Sequence, residues 1–169
     1  MRQAQARLAE KLADHPKTFG AATTLAVAHV RGQRAAILNV GDSRVYQVSR
    51  EGRWRRLSKD HTVLQGMIDR GEASPDTEYA SIYGMLAHVL SADHEDGDFA
   101  IHRVMVTLEP GDTLMLCSDG IHDEIGEEKL WDLFDPLLEV TAQAKVWRDA
   151  VWVHGAKDNL SLVVARVAL

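Results

Sequence analysis

Seven residues constrain this chain more than any others. Leu114-Met115-Leu116-Cys117 run apolar and stop abruptly at Ser118-Asp119-Gly120. A short apolar run bounded by turn residues reads as a buried strand ending in a tight polar turn. A carboxylate at the end of a rigid core strand is well placed to hold a hard cation through oxygen. Two other aspartates have the same context. Asp42 follows Asn39-Val40-Gly41, and Asp158 stands ahead of an apolar strand from Leu160 to Val167.

The rest of the chain supplies the elements such strands need. Residues 1–14 place Ala4, Leu8, Ala9, Leu12 and Ala13 on one helical face, a stripe that asks for a sheet to lie on, and Pro16 stops the helix. From Thr23 to Val30 and from Ala35 to Val40 the pattern is strand-like, with a turn at Arg31-Gly32-Gln33, which predicts a hairpin. Val45 to Val48 and Trp54 to Leu57 predict a third and a fourth strand. Val63, Leu64, Met67 and Ile68 have helical spacing, and Gly71 sits where a C-terminal glycine belongs. Residues 72–88 read as a surface excursion, and Asp93 to Asp98 as a solvated acidic loop. Phe99, Ile101, Val104 and Val106 predict another strand, turned by Glu109-Pro110-Gly111-Asp112 into the opening stretch. One helix is expected from Gly126 to Phe134 and a longer one from Val140 to Gly155, where packing is the reading for Trp147 and Trp152. Strands in antiparallel order with helices between them make an α+β domain spanning 1–169.

Should the three strands be neighbours, Asp42, Asp119 and Asp158 converge, and converging carboxylates repel unless a cation neutralises them. Ligation by oxygen alone points to Mg²⁺ or Mn²⁺ rather than zinc. With 19 Lys and Arg against 25 Asp and Glu and no basic block, nucleic acid is a poor partner. The single cysteine, Cys117, forms no internal disulfide, and no apolar run is long enough for a membrane. A cytoplasmic setting is the expectation. Cys117 reads as an inert core thiol, and His122 as a solvated or capping histidine.

The order of motifs resembles the metal-dependent protein serine/threonine phosphatases of type 2C, in their compact bacterial style. The matching pieces are Gly20-Ala21-Ala22-Thr23-Thr24, Asn39-Val40-Gly41-Asp42-Ser43-Arg44-Val45-Tyr46 and Leu57-Ser58-Lys59-Asp60-His61. Leu108-Glu109-Pro110-Gly111-Asp112, Leu116-Cys117-Ser118-Asp119-Gly120-Ile121 and Lys157-Asp158-Asn159-Leu160-Ser161 follow in order. The resemblance implies an antiparallel β-sandwich flanked by helices, a four-layer αββα fold. It implies a two-metal centre at which metal-activated water hydrolyses phosphoserine or phosphothreonine in proteins. Asp119 and Asp158 would be ligands of a core Mn²⁺ or Mg²⁺, and Asp42 with Asp119 part of a weaker third-metal site. Gly41, Ser43, Arg44, Ser118, Gly120 and Asn159 would support these carboxylates, with Arg44 orienting the Asp42 loop. The segment from His61 to about Leu90 would be a flap that helps select substrates. The substrate would be a phosphoprotein of a cytoplasmic Ser/Thr kinase.

The family's upstream equipment has no counterpart in these residues. Missing are its N-terminal acidic ligand motif, the Asp-Gly-x-Gly-Gly turn whose aspartate bridges two metals, the phosphate-binding arginine and the proton-donating histidine. No catalytic residue beyond the metal ligands is therefore assigned. The expectation is an N-terminally truncated domain with an incomplete sandwich, weak or inactive by itself. A non-catalytic, phosphatase-like binding or regulatory module is the alternative.

Overall fold

Side-chain alternation decides which strands pair. In a computed structural model, β2 (Leu25–Arg31) and β3 (Arg34–Val40) form the expected hairpin, and β3 also pairs with β7 (His102–Thr107). The structure describes every residue except 1, 13–15, 19, 76, 78, 93–99 and 169. The acidic run 93–98, Phe99 and Ala13 lie outside the described residues.

A second sheet has the order β5-β4-β8-β9, built from β4 (Arg44–Val48), β5 (Trp54–Arg56), β8 (Thr113–Cys117) and β9 (Leu162–Arg166), all antiparallel. Its two faces bury different partners. Val45 and Leu114 meet Ala35, Ile37 and Val106 of the first sheet, which is the sandwich core. Tyr46, Met115 and Cys117 point the other way, towards Ile121, Leu130, Trp147 and Val151. Those last four lie on α3 (Asp119–Ile125), α4 (Glu127–Asp132) and α5 (Val140–Val153). Removing such areas from water is the main stabilising contribution. Trp147 is fully buried, stacks on Phe134 and donates its indole N–H to Leu130 O at 3.0 Å. Trp152 does not share that packing. It is 58% exposed, with the Arg148 guanidinium 4.7 Å from its ring.

Four expectations need correcting. The polar turn at Ser118-Asp119-Gly120 is the first turn of α3, with Ser118 in the N-cap position. Gly126 opens α4 as expected, standing in its N-cap position while also ending α3, but α4 stops at Asp132 before Phe134. β9 begins at Leu162 rather than Leu160, because the Ser161 backbone is engaged with Ser118 instead of a strand. The fourth concerns α1 (Arg2–Leu12), whose anchor is polar. Gln5 is its buried residue, donating to Ser91 O at 2.6 Å and accepting from Ser91 N at 3.0 Å. Ser91 belongs to β6 (Leu90–Ser91), which pairs with β1 (Ala22–Thr23). Leu8 adds a contact to the Val40–Leu90 cluster, while Ala4 stays exposed.

The sandwich is incomplete where the sheets fail to overlap. Val163 lies in register with Leu116, on the face turned to the first sheet, yet is 60% exposed. The three-stranded sheet does not reach over β9.

Candidate metal centre

Register brings the three aspartates to one end of the four-stranded sheet. Arg44 pairs with Cys117, and Cys117 with Leu162. Asp42 therefore precedes the row by two residues, Asp119 follows it by two, and Asp158 precedes it by four. Two serines close the seam between the last two. Ser118 N donates to Ser161 O, and Ser161 N to Ser118 Oγ, both at 3.0 Å. Asp119 and Asp158 are oriented by the same local device. Oδ1 of Asp119 accepts from Gly120 N at 2.8 Å, and Oδ1 of Asp158 from Asn159 N at 2.7 Å. Both line a cavity of about 120 Å³ with Gly120, Asp123 and Glu124.

Gly120 permits this approach. A Cβ there would collide with Asn159 O and stand 3.1 Å from its carbonyl carbon. Both obstacles are backbone, so relief requires the Asp158 loop to retreat from α3. Gly120→Ala is expected to cost about 1–3 kcal/mol, measured as a lower urea midpoint.

Asp42 sits in the loop crossing from β3 to β4, that is, from one sheet to the other. Gly41 turns it at φ 90°, against Thr24, where a Cβ would lie 2.7 Å from Thr24 Cβ. Gly41 N donates to His61 Nδ1 at 3.1 Å, and Gly41 O accepts from His61 N and from Asn39 Nδ2. Ser43 shares a 2.8 Å hydrogen bond with Thr24. Burial, reinforced by the charge of Asp119, pushes the Asp42 carboxyl above the ordinary carboxylate range. Asp42 and Asp119 thus feel each other as like charges, as groups awaiting a cation do. Among the described residues no three His, Cys, Asp or Glu side chains are grouped closely enough to hold one ion. The convergence is pairwise: Asp119 with Asp158 across the cavity, and Asp119 with Asp42 through charge.

Arg44 orients the entry to this loop. Its Nη2 lies 2.6 Å from Asp60 Oδ2, and its Nη1 donates to Glu127 Oε1 at 3.2 Å. Tyr46 Oη donates to the same oxygen at 2.8 Å. Burial would lower the guanidinium's pKa, but the Asp60 contacts outweigh it and hold Arg44 firmly charged. Beside Asp60, His61 caps neither helix nor solvent; α2 (Val63–Asp69) starts after it, with Thr62 as N-cap. His61 lines a 470 Å³ cavity beside α2 with Lys59, Asp60, His88 and His102. Burial, then His88 and His102, hold its pKa below the ordinary 6.5; Asp60 opposes this and Lys59 adds to it. The unfolded chain therefore takes up a proton below pH 6.5 that the folded chain resists, and stability falls as pH drops through that window. His61→Asn keeps an acceptor for Gly41 N–H without the titration. Its urea midpoint is expected to fall less steeply below pH 6.5 than that of wild type.

The sequence reading missed three residues of α3. His122 is neither solvated nor a cap. It is 3% exposed, with Nε2 in hydrogen-bond contact with Asp42 O at 3.2 Å and Nδ1 with Asp123 Oδ1 at 2.7 Å. That bond holds the Asp123 carboxyl below its usual range. Glu124 Oε1 is buried with no hydrogen-bond partner, and Lys157 Nζ stands 3.5 Å away. Reading Ser118 as an N-cap and Gly126 as a stop would have placed Asp119, His122 and Asp123 on one helical face. Cys117 is the inert thiol expected: burial pushes its pKa up to about 12.

A cavity lined by Asp119, Asp123, Glu124 and Asp158, with a buried Glu124 oxygen that makes no hydrogen bond, offers the oxygen donors that suit a hard divalent ion. Comparisons with known proteins agree. The Mycobacterium tuberculosis serine/threonine protein phosphatase PstP is 28% identical over 167 residues, covering 99% of this chain and 32% of that protein. The Listeria welshimeri serine/threonine phosphatase stp is 28% identical over 145 residues, covering 86% of this chain and 56% of that protein. The chain thus spans between a third and somewhat over half of these relatives. A crystal structure of the M. tuberculosis phosphatase superimposes with TM-score 0.87 at 25% identity, covering 99% of this chain and 69% of that one. A structure of the PstP catalytic domain in complex with two manganese ions gives 0.79 at 26% identity, covering 98% and 67%. The family profile described as Protein phosphatase 2C matches residues 2–160, and the chain belongs to that family.

Proposed function

We propose that this chain is the part of a metal-dependent phosphoserine/phosphothreonine protein phosphatase that carries Asp42, Asp119 and Asp158, opposing a cytoplasmic Ser/Thr kinase. The observation that carries this reading is the small, oxygen-lined cavity in which Asp119 and Asp158 are each oriented by the following amide. Mn²⁺ or Mg²⁺ bound there supplies an acidified water and offsets charge on the transferring phosphoryl group. Asp119 and Asp158 hold the ion, and Asp42 with Asp119 serves a weaker neighbouring position. Ser118, Gly120 and Asn159 keep the two carboxylate loops in contact. Gly41, Ser43 and Arg44 hold the Asp42 loop, and residues from His61 to Leu90 shape the approach of a protein substrate.

These 169 residues contain no Asp-Gly-x-Gly-Gly turn, so in this reading they bridge no second ion and turn over slowly. The same observation favours a second reading, a module that binds metal and phosphoprotein without hydrolysis. The experiment is phosphate release from a phosphothreonine peptide and from p-nitrophenyl phosphate, with and without Mn²⁺, alongside Mn²⁺ titration calorimetry. Weak release that needs Mn²⁺ and disappears in Asp119→Ala supports the first reading. Mn²⁺ binding without release supports the second, and absence of both sinks the metal site.

A further inference from the structure

Asp42 and Asp119 flank the β4–β8 pairing, but Asp42 lies in the loop that crosses between the sheets. The Asp42 loop leaves β3 in the three-stranded sheet and enters β4 in the four-stranded one, whereas Asp119 opens the helix that follows β8. The loop's anchors at Gly41 and Ser43 are His61, Asn39 and Thr24, from the flap entry, β3 and the residue between β1 and β2. None of these lies on the helix that carries Asp119. The β4–β8 pairing of Arg44 with Cys117 fixes the row two residues from each carboxylate, but the loop itself is held from the other side, and its distance from α3 needs a tie of its own.

We propose that His122 is that tie: a positioning residue that holds the Asp42 loop at a fixed distance from Asp119, and through it sets divalent-ion affinity. His122 lies three residues after Asp119 on the same short helix, so the two side chains share a face. Its ring is locked on both sides, by Asp42 O through Nε2 and by Asp123 Oδ1 through Nδ1, and its side chain is 1% exposed. An imidazole held at both nitrogens has one orientation, and its only freedom is that of α3 itself. Groups that orient metal-holding side chains commonly change ion affinity 10–100-fold when removed. The inference rests on reading Asp42 as an ion-holding carboxylate.

Two conservative variants separate the arms of the ring. The amide nitrogen of glutamine reaches as far as Nε2 and can donate to Asp42 O. That of asparagine matches Nδ1 and reaches only Asp123. Hydrogen exchange of the metal-free chain over residues 41–43, compared with residues 114–117 of β8, reads loop anchoring apart from global stability. Calorimetry with Mn²⁺ alone reads affinity. His122→Ala and His122→Asn are expected to speed exchange at 41–43 selectively and weaken Mn²⁺ about tenfold. His122→Gln should stay near wild type in both. Exchange unchanged in His122→Asn, or as fast in His122→Gln as in His122→Asn, overturns the proposal, and this pair decides should the alanine variant not fold. A wild-type chain that takes up no Mn²⁺ defeats the metal-site reading and the affinity claim with it, while exchange still decides whether His122 anchors the loop.

Discussion

Asp119→Ala is expected to abolish stabilisation by Mn²⁺ while leaving the metal-free protein close to wild type. An ion that binds only the folded state adds stability by mass action, about 2.7 kcal/mol when present at roughly 100 times its dissociation constant. Asp119 is the aspartate common to both pairs, facing Asp158 across the cavity and Asp42 through charge. Its loss should therefore remove essentially all of that increment. Without metal the balance differs. The substitution deletes a hydrogen bond from Gly120 N, a local contact of about 1 kcal/mol. It also removes one of the three influences that push the Asp42 carboxyl upward, the others being burial and Asp60, which compensates. Urea unfolding with Mn²⁺ and with a chelator measures both quantities. An Mn²⁺ increment that survives in Asp119→Ala would place the ion elsewhere.

The largest effect on the fold is expected at Arg44. Arg44→Leu strands Asp60, which is 10% exposed and takes three of the guanidinium's hydrogen bonds. Breaking a buried pair by removing one partner costs about 3–5 kcal/mol, because the remaining charge stays desolvated. The lower end is the expectation here, since Arg56 Nη1 lies 3.7 Å from Asp60 and is a partial substitute. Glu127 suffers less: it keeps Tyr46 Oη and has Arg56 at 3.6 Å. The double variant Arg44→Leu with Asp60→Leu should recover part of the loss, since it leaves no uncompensated charge; coupling of about 0.5–3 kcal/mol is usual for residues in contact. Denaturation midpoints of the two single variants and the double variant test it. Additive losses would mean that Arg44 stabilises by packing alone.

Much of the architecture is legible in local pattern. Short apolar runs bounded by turn residues mark β3, β4 and β8, and the run ending at Ser118 marks where β8 stops. Those signals are short-range, because a strand covered on both faces is apolar along its length wherever its partners come from. Local pattern failed where one residue type serves two purposes. Ser, Asp and Gly favour turns, but they also begin helices, and only Ile121 packing beneath α5 resolves Ser118 as a cap. Gln5 shows the same limit. Nothing nearby in the chain announces that a polar side chain of α1 pairs with the backbone of Ser91.

The sequence by itself determined the strands, the type 2C motif order and the three aspartates at polar ends of apolar segments, because each depends on neighbours a few residues away. Only the tertiary structure decided that Asp119 stands between the other two, that Arg44 is spent on Asp60 and Glu127, and that His122 reaches back to Asp42. Those outcomes follow from the register of β4, β8 and β9 and from two sheets meeting at the Asp42 loop. Such contacts join residues 16 to 83 positions apart, whose meeting depends on the packing of the whole core.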